Sequence, residues 1–310
     1  MDVNSFVKEQ VNNIKAKIGE EKAICALSGG VDSSVCAVLA HRAIGNKLKC
    51  IFIDDGLMRE TEPETVKEIF ADLGIKVDVI DVQDRFFSTL QGKEDPEEKR
   101  KAFRDLFYKV FGEQVLNSGA KFLIQGTIAA DIIETKGGVK TQHNILEQIG
   151  IDSEKGYGFL VVEPLKTLFK HGVREVAKEL GLPDTIYKRM PFPGPGLATR
   201  VVGEVTPERV ALVRKATAII EEEIASLEPF QAFPVLLQDK GTGVKDGKRE
   251  FGSIMIIRSV ESKDAMTAEP TQIPWDVLMK ISKRITTEIP EVVRVAYEIT
   301  PKPPATIEYI

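Results

Sequence analysis

At 310 residues the chain can bury at least one full core, and two domains are the natural expectation. Apolar residues make up 43% and charged residues 29%, an ordinary balance for a soluble globular protein. Lysine and arginine total 42 against 47 aspartates and glutamates; the formal charge of −5 and a pI near 5.5 give no whole-protein attraction to nucleic acid or anionic membranes.

No apolar run approaches the roughly 20 residues that cross a bilayer. Met1-Asp2-Val3-Asn4 has no basic region leading into an apolar stretch. A cytoplasmic protein is expected. Cys25, Cys36 and Cys50 each sit among apolar neighbours and form no C-x-x-C pair. They read as buried, reduced small hydrophobes rather than redox or metal groups.

The first part alternates helix and strand. Residues 3–18 carry apolar positions at helical spacing, and Gly19 follows as a stop signal. Strands are expected over 22–27, 49–53, 76–80 and 122–124, and helices over 31–43, 62–73 and about 95–117. Continuous apolar strands separated by amphipathic helices imply a parallel sheet covered on both faces, an α/β fold. Residues 134–158 break the rhythm with a polar, glycine-containing stretch, which suits a surface loop or a lid. A helix over 173–180 and the break at Gly181-Leu182-Pro183 come next. Pro191-Phe192-Pro193-Gly194-Pro195-Gly196 cannot be regular helix or central strand. A domain boundary near Tyr187 is expected, giving domains 1–187 and 188–310. The second is a smaller α+β unit: helices over 207–227 and 275–289, strands over 233–237, 253–260 and 292–299.

The segment richest in chemistry is Ala23-Ile24-Cys25-Ala26-Leu27-Ser28-Gly29-Gly30-Val31-Asp32-Ser33-Ser34. A buried strand runs into a Ser-Gly-Gly turn and a helix starts at once. Glycines let the backbone approach a ligand closely. The free N–H groups and dipole at the helix start favour an anion, and the hydroxyls of Ser28, Ser33 and Ser34 add donors; pyrophosphate suits the turn. An acid facing phosphates is repulsive unless a cation intervenes, which makes Asp32 a candidate Mg²⁺ ligand. The plainer role for Asp32 is an acid stabilised by the helix dipole.

No G-K-[ST] follows, so the turn is not a Walker A loop. S-G-G-x-D-S resembles the PP-loop of N-type ATP pyrophosphatases, which cleave ATP between its α and β phosphates. Further blocks narrow the resemblance to the GMP synthetase family. Ile51-Phe52-Ile53-Asp54-Asp55-Gly56-Leu57-Met58-Arg59 looks like that family's ATP-holding block. Gln125-Gly126-Thr127 with Asp131 and Glu134 resembles its Q-G-T-x-x-x-D-x-x-E block. Lys140-Thr141-Gln142-His143-Asn144, Glu163-Pro164-Leu165, Phe192-Pro193-Gly194-Pro195-Gly196-Leu197 and the closing Lys302-Pro303-Pro304-Ala305-Thr306-Ile307-Glu308 follow in the family's order.

The resemblance spans nearly the whole chain. It implies an adenine nucleotide alpha hydrolase-like ATP-pyrophosphatase domain followed by a dimerisation domain. It also implies ATP as co-substrate with Mg²⁺, and xanthosine monophosphate (XMP) as the nucleotide adenylated at O2 before ammonia gives GMP. Ser28 to Ser34, Ile53 and Gly126 would hold ATP, with Asp32 as metal ligand. Lys140 and His143 on a lid, with Asp131 and Glu134, would serve the chemistry. Pro193, Arg258, Lys302, Thr306, Ile307 and Glu308 would hold XMP, Arg258 at its phosphate.

Two departures stand out. Gln142 replaces one of the family's paired lid histidines, and the tail ends Glu308-Tyr309-Ile310 in place of E-W-E. No cysteine lies in a G-x-C-x-G turn, and the first strand begins by Lys22. Ammonia is therefore expected from a separate glutamine amidotransferase subunit. Three other readings compete. An NAD synthetase would share the first domain but not the F-P-G-P-G and K-P-P-A-T-I-E segments. A tRNA-thiolating PP-loop enzyme would need sulfur-carrying cysteines and a basic RNA face; the missing C-x-x-C and the acidic pI argue against it. A non-catalytic nucleotide sensor would bind without turnover.

Overall fold

The computed structural model describes residues 2–129, 131–132, 160–245, 247–263 and 265–310. The expected lid residues Glu134, Lys140 and His143 lie outside them. The chain divides into two compact units. One comprises Met1–Asp54, Thr61–Asp81 and Asp105–Arg189; the other comprises Asp55–Glu60, Val82–Arg104 and Met190–Ile310.

The first unit is built on a sheet of five parallel strands: β1 (Ala23–Leu27), β2 (Leu48–Asp54), β3 (Val77–Asp81), β4 (Phe122–Ile124) and β5 (Leu160–Val162). Its spatial order is β3-β2-β1-β4-β5. β5 is a strand that the sequence pattern does not announce, being three residues long and exposed at its start.

Helices α1 (Val3–Ile18), α2 (Val31–Ile44), α3 (Glu62–Asp72), α4 (Gln83–Leu90), α5 (Pro96–Ser118), α6 (Lys170–Glu179) and α7 (Asp184–Tyr187) follow in chain order, with α4 and the start of α5 belonging to the second unit. The Asp2 carboxylate caps α1 by accepting from the Asn4 and Ser5 amides. α2 differs from the amphipathic surface helices because Val35 through Ala40 are all buried. A helix apolar on every side belongs in a core, and this one follows β1 directly.

The order places β2 and β3 on one side of β1, and β4 and β5 on the other. The carboxyl ends of β1 and β4 therefore flank the point where the winding reverses, which is where open α/β sheets bind ligands.

In the second unit, β6 (Gln231–Lys245) and β7 (Lys248–Glu261) form a long antiparallel hairpin. β8 (Glu269–Pro270) pairs antiparallel with β7, and β9 (Val292–Glu298) pairs parallel with it. Helices α8 (Pro207–Ile224) and α9 (Trp275–Glu288) complete it. Thr206 caps α8 through the Arg209 amide, and Pro207 occupies the first helical position, where its missing N–H costs nothing. Both hairpin strands run well past their buried halves, and their far ends are largely exposed, Val244 and Phe251 included.

Candidate nucleotide sites

The phosphate-loop candidate begins where β1 ends. Gly29 has φ +72°, a left-handed conformation open to glycine. Gly30 is the N-cap residue of α2, and no side chain caps the helix. The first-turn amides are thus left for a ligand, at the positive end of the helix dipole.

The loop's own hydroxyls are largely spent inside it. Ser34 Oγ is buried and donates to the Gly30 carbonyl at 2.9 Å. Ser33 Oγ accepts from the Ser28 amide at 3.1 Å and also lies 3.1 Å from Ser28 Oγ and from the Gly30 carbonyl. Ser28 remains exposed. Of the three serines, Ser28 is the exposed one, while the Ser33 and Ser34 hydroxyls are engaged within the turn.

Asp32 stands in the first turn of α2. Lys170, from the first turn of α6, donates to its Oδ2 at 2.6 Å. Oδ1 is buried and has no hydrogen-bond partner among the described residues. A carboxylate oxygen left unsatisfied beside a phosphate loop suits a hard cation, and Mg²⁺ characteristically takes one or two protein carboxylates plus phosphates and water. The described residues hold no group of three or more His, Cys, Asp or Glu side chains placed to hold a metal ion.

The second edge of the crevice is Gln125-Gly126-Thr127, just past β4. A Cβ on Gly126 would lie 3.1 Å from the Asp32 carbonyl carbon and 3.2 Å from the Ser33 amide nitrogen. Backbone thus packs against the start of α2 with room for hydrogen alone. Thr127 Oγ1 is buried without a partner among the described residues, and Ile53 is buried near the end of β2. Asp131, expected among the catalytic groups, accepts from the Ile128 amide at 3.0 Å.

Two charged residues that no motif indicated hold the loop from behind. Arg189 Nη1 donates to the Gly29 carbonyl at 3.0 Å and to Glu62 Oε1 at 2.7 Å. Glu62, the first residue of α3, is buried.

In the second unit the C-terminal tail is fastened down rather than loose. Lys302 pairs with Ala268 through both backbone groups, and its Nζ donates to the Ala265 carbonyl at 2.8 Å. Ile307 is buried with Val260 and Ala268, against Phe230.

Arg258 on β7 is buried, and its guanidinium donates to the carbonyls of Thr300 at 2.6 Å and Thr306 at 3.1 Å. Arg258 therefore holds the ends of the tail's turn. Glu308 accepts from Arg200 at 3.3 and 3.4 Å and from the Gln231 amide nitrogen. Arg200, also missed from sequence, is buried between the rings of Phe192 and Phe233, 4.8 and 4.3 Å from their centres. Pro193 follows Phe192 and is half-buried. An arginine shortly after the Phe192–Leu197 block was the one available signal for it.

A five-stranded parallel sheet with an S-G-G-x-D-S turn at its switch point defines an ATP-using protein of the PP-loop class. Comparison with known proteins agrees and goes further. The NAD synthase family model matches residues 1–195, and the GMP synthase C terminal domain model matches residues 219–309. The chain is 53% identical over 310 residues to the B subunit of the glutamine-hydrolyzing GMP synthase of Archaeoglobus fulgidus, covering 100% of both chains. Its identity to the corresponding GMP synthase chain of Pyrococcus horikoshii is 53% over 312 residues, again covering 100% of both. With that of Thermococcus kodakarensis it is 54% over 308 residues, covering 98% of this chain and 99% of the relative. The chain belongs to the family of GMP synthase B subunits, a family of ligases.

Proposed function

We propose that this chain adenylates XMP with ATP and then exchanges the activated oxygen for ammonia. O2 of XMP attacks the α-phosphorus of ATP and pyrophosphate leaves. Ammonia then adds at C2, AMP departs with the former O2, and one proton is released as GMP forms. The observation that carries this reading is the uncapped start of α2, with its Ser-Gly-Gly turn at the reversal point of the sheet.

Nucleotidyl transfer depends mainly on positioning and charge stabilisation. In this reading the first-turn amides of α2 and the Ser28 hydroxyl bind the departing pyrophosphate. Gly126 lets backbone come close to the loop, and Ile53 lines the nucleotide's approach. Asp32 would hold Mg²⁺, which when bound offsets phosphate charge. Lys140 and His143 would neutralise charge on the α-phosphate, with Asp131 and Glu134 positioning the lid. In the second unit Lys302 would meet the XMP phosphate, and Glu308 would accept from purine N–H groups beside Thr306, Ile307 and Pro193. Arg258 serves the same pocket by holding the tail's carbonyls.

Ammonia would come from a separate glutamine amidotransferase subunit, as the relatives' designation as the B subunit of a glutamine-hydrolyzing enzyme suggests. Residues 188–310 would also form a homodimer. Trp275 and Met279, four apart on α9 and both exposed, offer an apolar stripe for it. Among the described residues no helix is long and apolar enough to cross a membrane, and a cytoplasmic site suits the reaction.

The test is direct: incubate the protein with ATP, XMP, Mg²⁺ and ammonium, and measure GMP and pyrophosphate. Both should form in equal amounts, with Ser28→Ala and Lys140→Ala strongly impaired. Nucleotide binding without pyrophosphate release would leave the sensor reading instead.

A further inference from the structure

The geometry points to Arg189 and Glu62 as a positioning pair that fixes one peptide of the phosphate loop. Arg189 pins the Gly29 carbonyl, so that the Gly30 N–H stays turned toward the nucleotide, and Glu62 keeps the guanidinium in place. The inference rests on the ATP-using reading above and names residues that act within that site.

The peptide unit is planar and trans, so its C=O and N–H point in opposite directions. Fixing the Gly29 carbonyl therefore fixes the Gly30 amide. Between two glycines, rotation of that whole peptide meets no Cβ and is cheap. Rotated, it would turn a carbonyl oxygen toward the phosphates, which repels them. A Ser-Gly-Gly turn needs an outside restraint to remain a donor.

Arg189 supplies the restraint: its Nη1 lies 3.0 Å from the Gly29 oxygen and 2.7 Å from Glu62 Oε1. Among the described residues the Gly30 amide itself is engaged only by Ser28 Oγ at 3.4 Å, a bond long enough to exchange for a phosphate oxygen.

The surroundings fit orientation better than charge attraction. Glu62 is 3% exposed and Arg189 22%, so the arginine's charge is largely cancelled where it sits. A buried ion pair is a poor device for stability, because desolvation offsets most of its attraction. It is well suited to holding a donor at one angle. The fit is also tight, since a Cβ on Gly29 would fall 2.1 Å from Glu62 Oε1.

The experiment compares wild type, Arg189→Met, Arg189→Lys and Glu62→Ala, with Arg42→Met as a stability control. Arg42 donates to the Leu180 carbonyl elsewhere in the same unit. Binding of inorganic pyrophosphate and of XMP would be measured by calorimetry, beside thermal melting and the KM values for ATP and XMP.

Arg189→Met should weaken pyrophosphate binding and raise the ATP KM by about tenfold, the effect of losing one oriented donor to a charged ligand. XMP binding should stay within about twofold. Glu62→Ala should move the same two quantities in the same direction, and Arg189→Lys should recover part of the loss. Arg42→Met should lower the melting temperature and leave pyrophosphate binding alone.

Arg189→Met binding pyrophosphate as wild type does would overturn the assignment while leaving the ATP reading intact. So would losses for pyrophosphate and XMP that simply follow the fall in melting temperature. Should Arg189→Met fail to fold, Arg189→Lys decides by the same comparison. A wild-type protein that neither binds pyrophosphate nor releases it from ATP sinks both readings together.

Discussion

Lys170 Nζ lies 2.6 Å from Asp32 Oδ2, joining residues 138 apart in sequence at the mouth of the phosphate loop. The other Asp32 oxygen is buried and unmatched among the described residues. One carboxylate thus carries a protein cation on one oxygen and, among the described residues, no partner on the other. α6 thereby steadies Asp32, and in the proposed reading a metal would take its unmatched oxygen.

Asp32→Asn should therefore lower Mg²⁺-dependent pyrophosphate release by about a hundredfold, in the range typical of lost charge stabilisation. Lys170→Ala should raise the ATP KM by about tenfold and shift the Mg²⁺ dependence. Titrating Mg²⁺ against initial rate for each variant separates the two. An unchanged Mg²⁺ profile in Asp32→Asn would remove Asp32 from the metal's coordination.

How much of this was legible in advance depends on whether a feature is contiguous in sequence. β1, β2 and the Ser28–Ser34 turn are uninterrupted runs, and their periodicity and glycines speak for themselves. β5 has three residues and follows a polar stretch, so its pattern is too short to register. α4 shows only Phe86 and Leu90 buried, one helical turn's worth of signal. The unexpected site residues share another cause. Arg189 meets Glu62 across 127 positions and Arg200 meets Glu308 across 108. Charged residues of this kind look like any solvated surface until the fold brings them together.

The three cysteines should be chemically silent in the folded protein. Burial pushes Cys25 and Cys36 far above the ordinary thiol range and Cys50 up to about 12. The thiolate is the reactive form, so each is protected by both access and protonation. A disulfide-exchange reagent at neutral pH should titrate none of them in native protein and all of them after denaturation. Rapid reaction of any one in the native state would contradict their burial in the first unit.

Lys99 gives the second unit a pH signature. Its ammonium is buried and donates to the carbonyls of Val201 and Gly203 at 2.8 and 2.9 Å. Burial, followed by the nearby Arg209, pushes its pKa down to about 8 from the ordinary 10.5. Below pH 8 the group is charged in both folded and unfolded protein, and the cost of burying the charge is fully present. Between about 8 and 10.5 the folded state loses its proton first, so stability from this group rises with pH. Urea unfolding of wild type and Lys99→Met at about pH 7.5 and about pH 9.5 should show the difference moving in favour of wild type at the higher pH. A difference independent of pH would rule out the depressed pKa.

The tail offers a test of how Arg258 acts. Its guanidinium is spent on the Thr300 and Thr306 carbonyls, and Ile307 and Glu308 are held by the packing and by Arg200 and Gln231. An arginine that shapes the tail differs from one that touches a phosphate in what it discriminates. Arg258→Met strands two carbonyls at about 1–3 kcal/mol each and loosens the segment that carries Lys302 and Glu308. It should raise the XMP KM by about tenfold or more and leave the ATP KM within about twofold. The same proportional loss should appear with xanthosine, which lacks the phosphate, when its weaker binding is compared between wild type and variant. A loss confined to XMP would return Arg258 to direct phosphate contact. Deleting residues 306–310 should reproduce the XMP defect in full, because it removes the Thr306 carbonyl and the Glu308 carboxylate together.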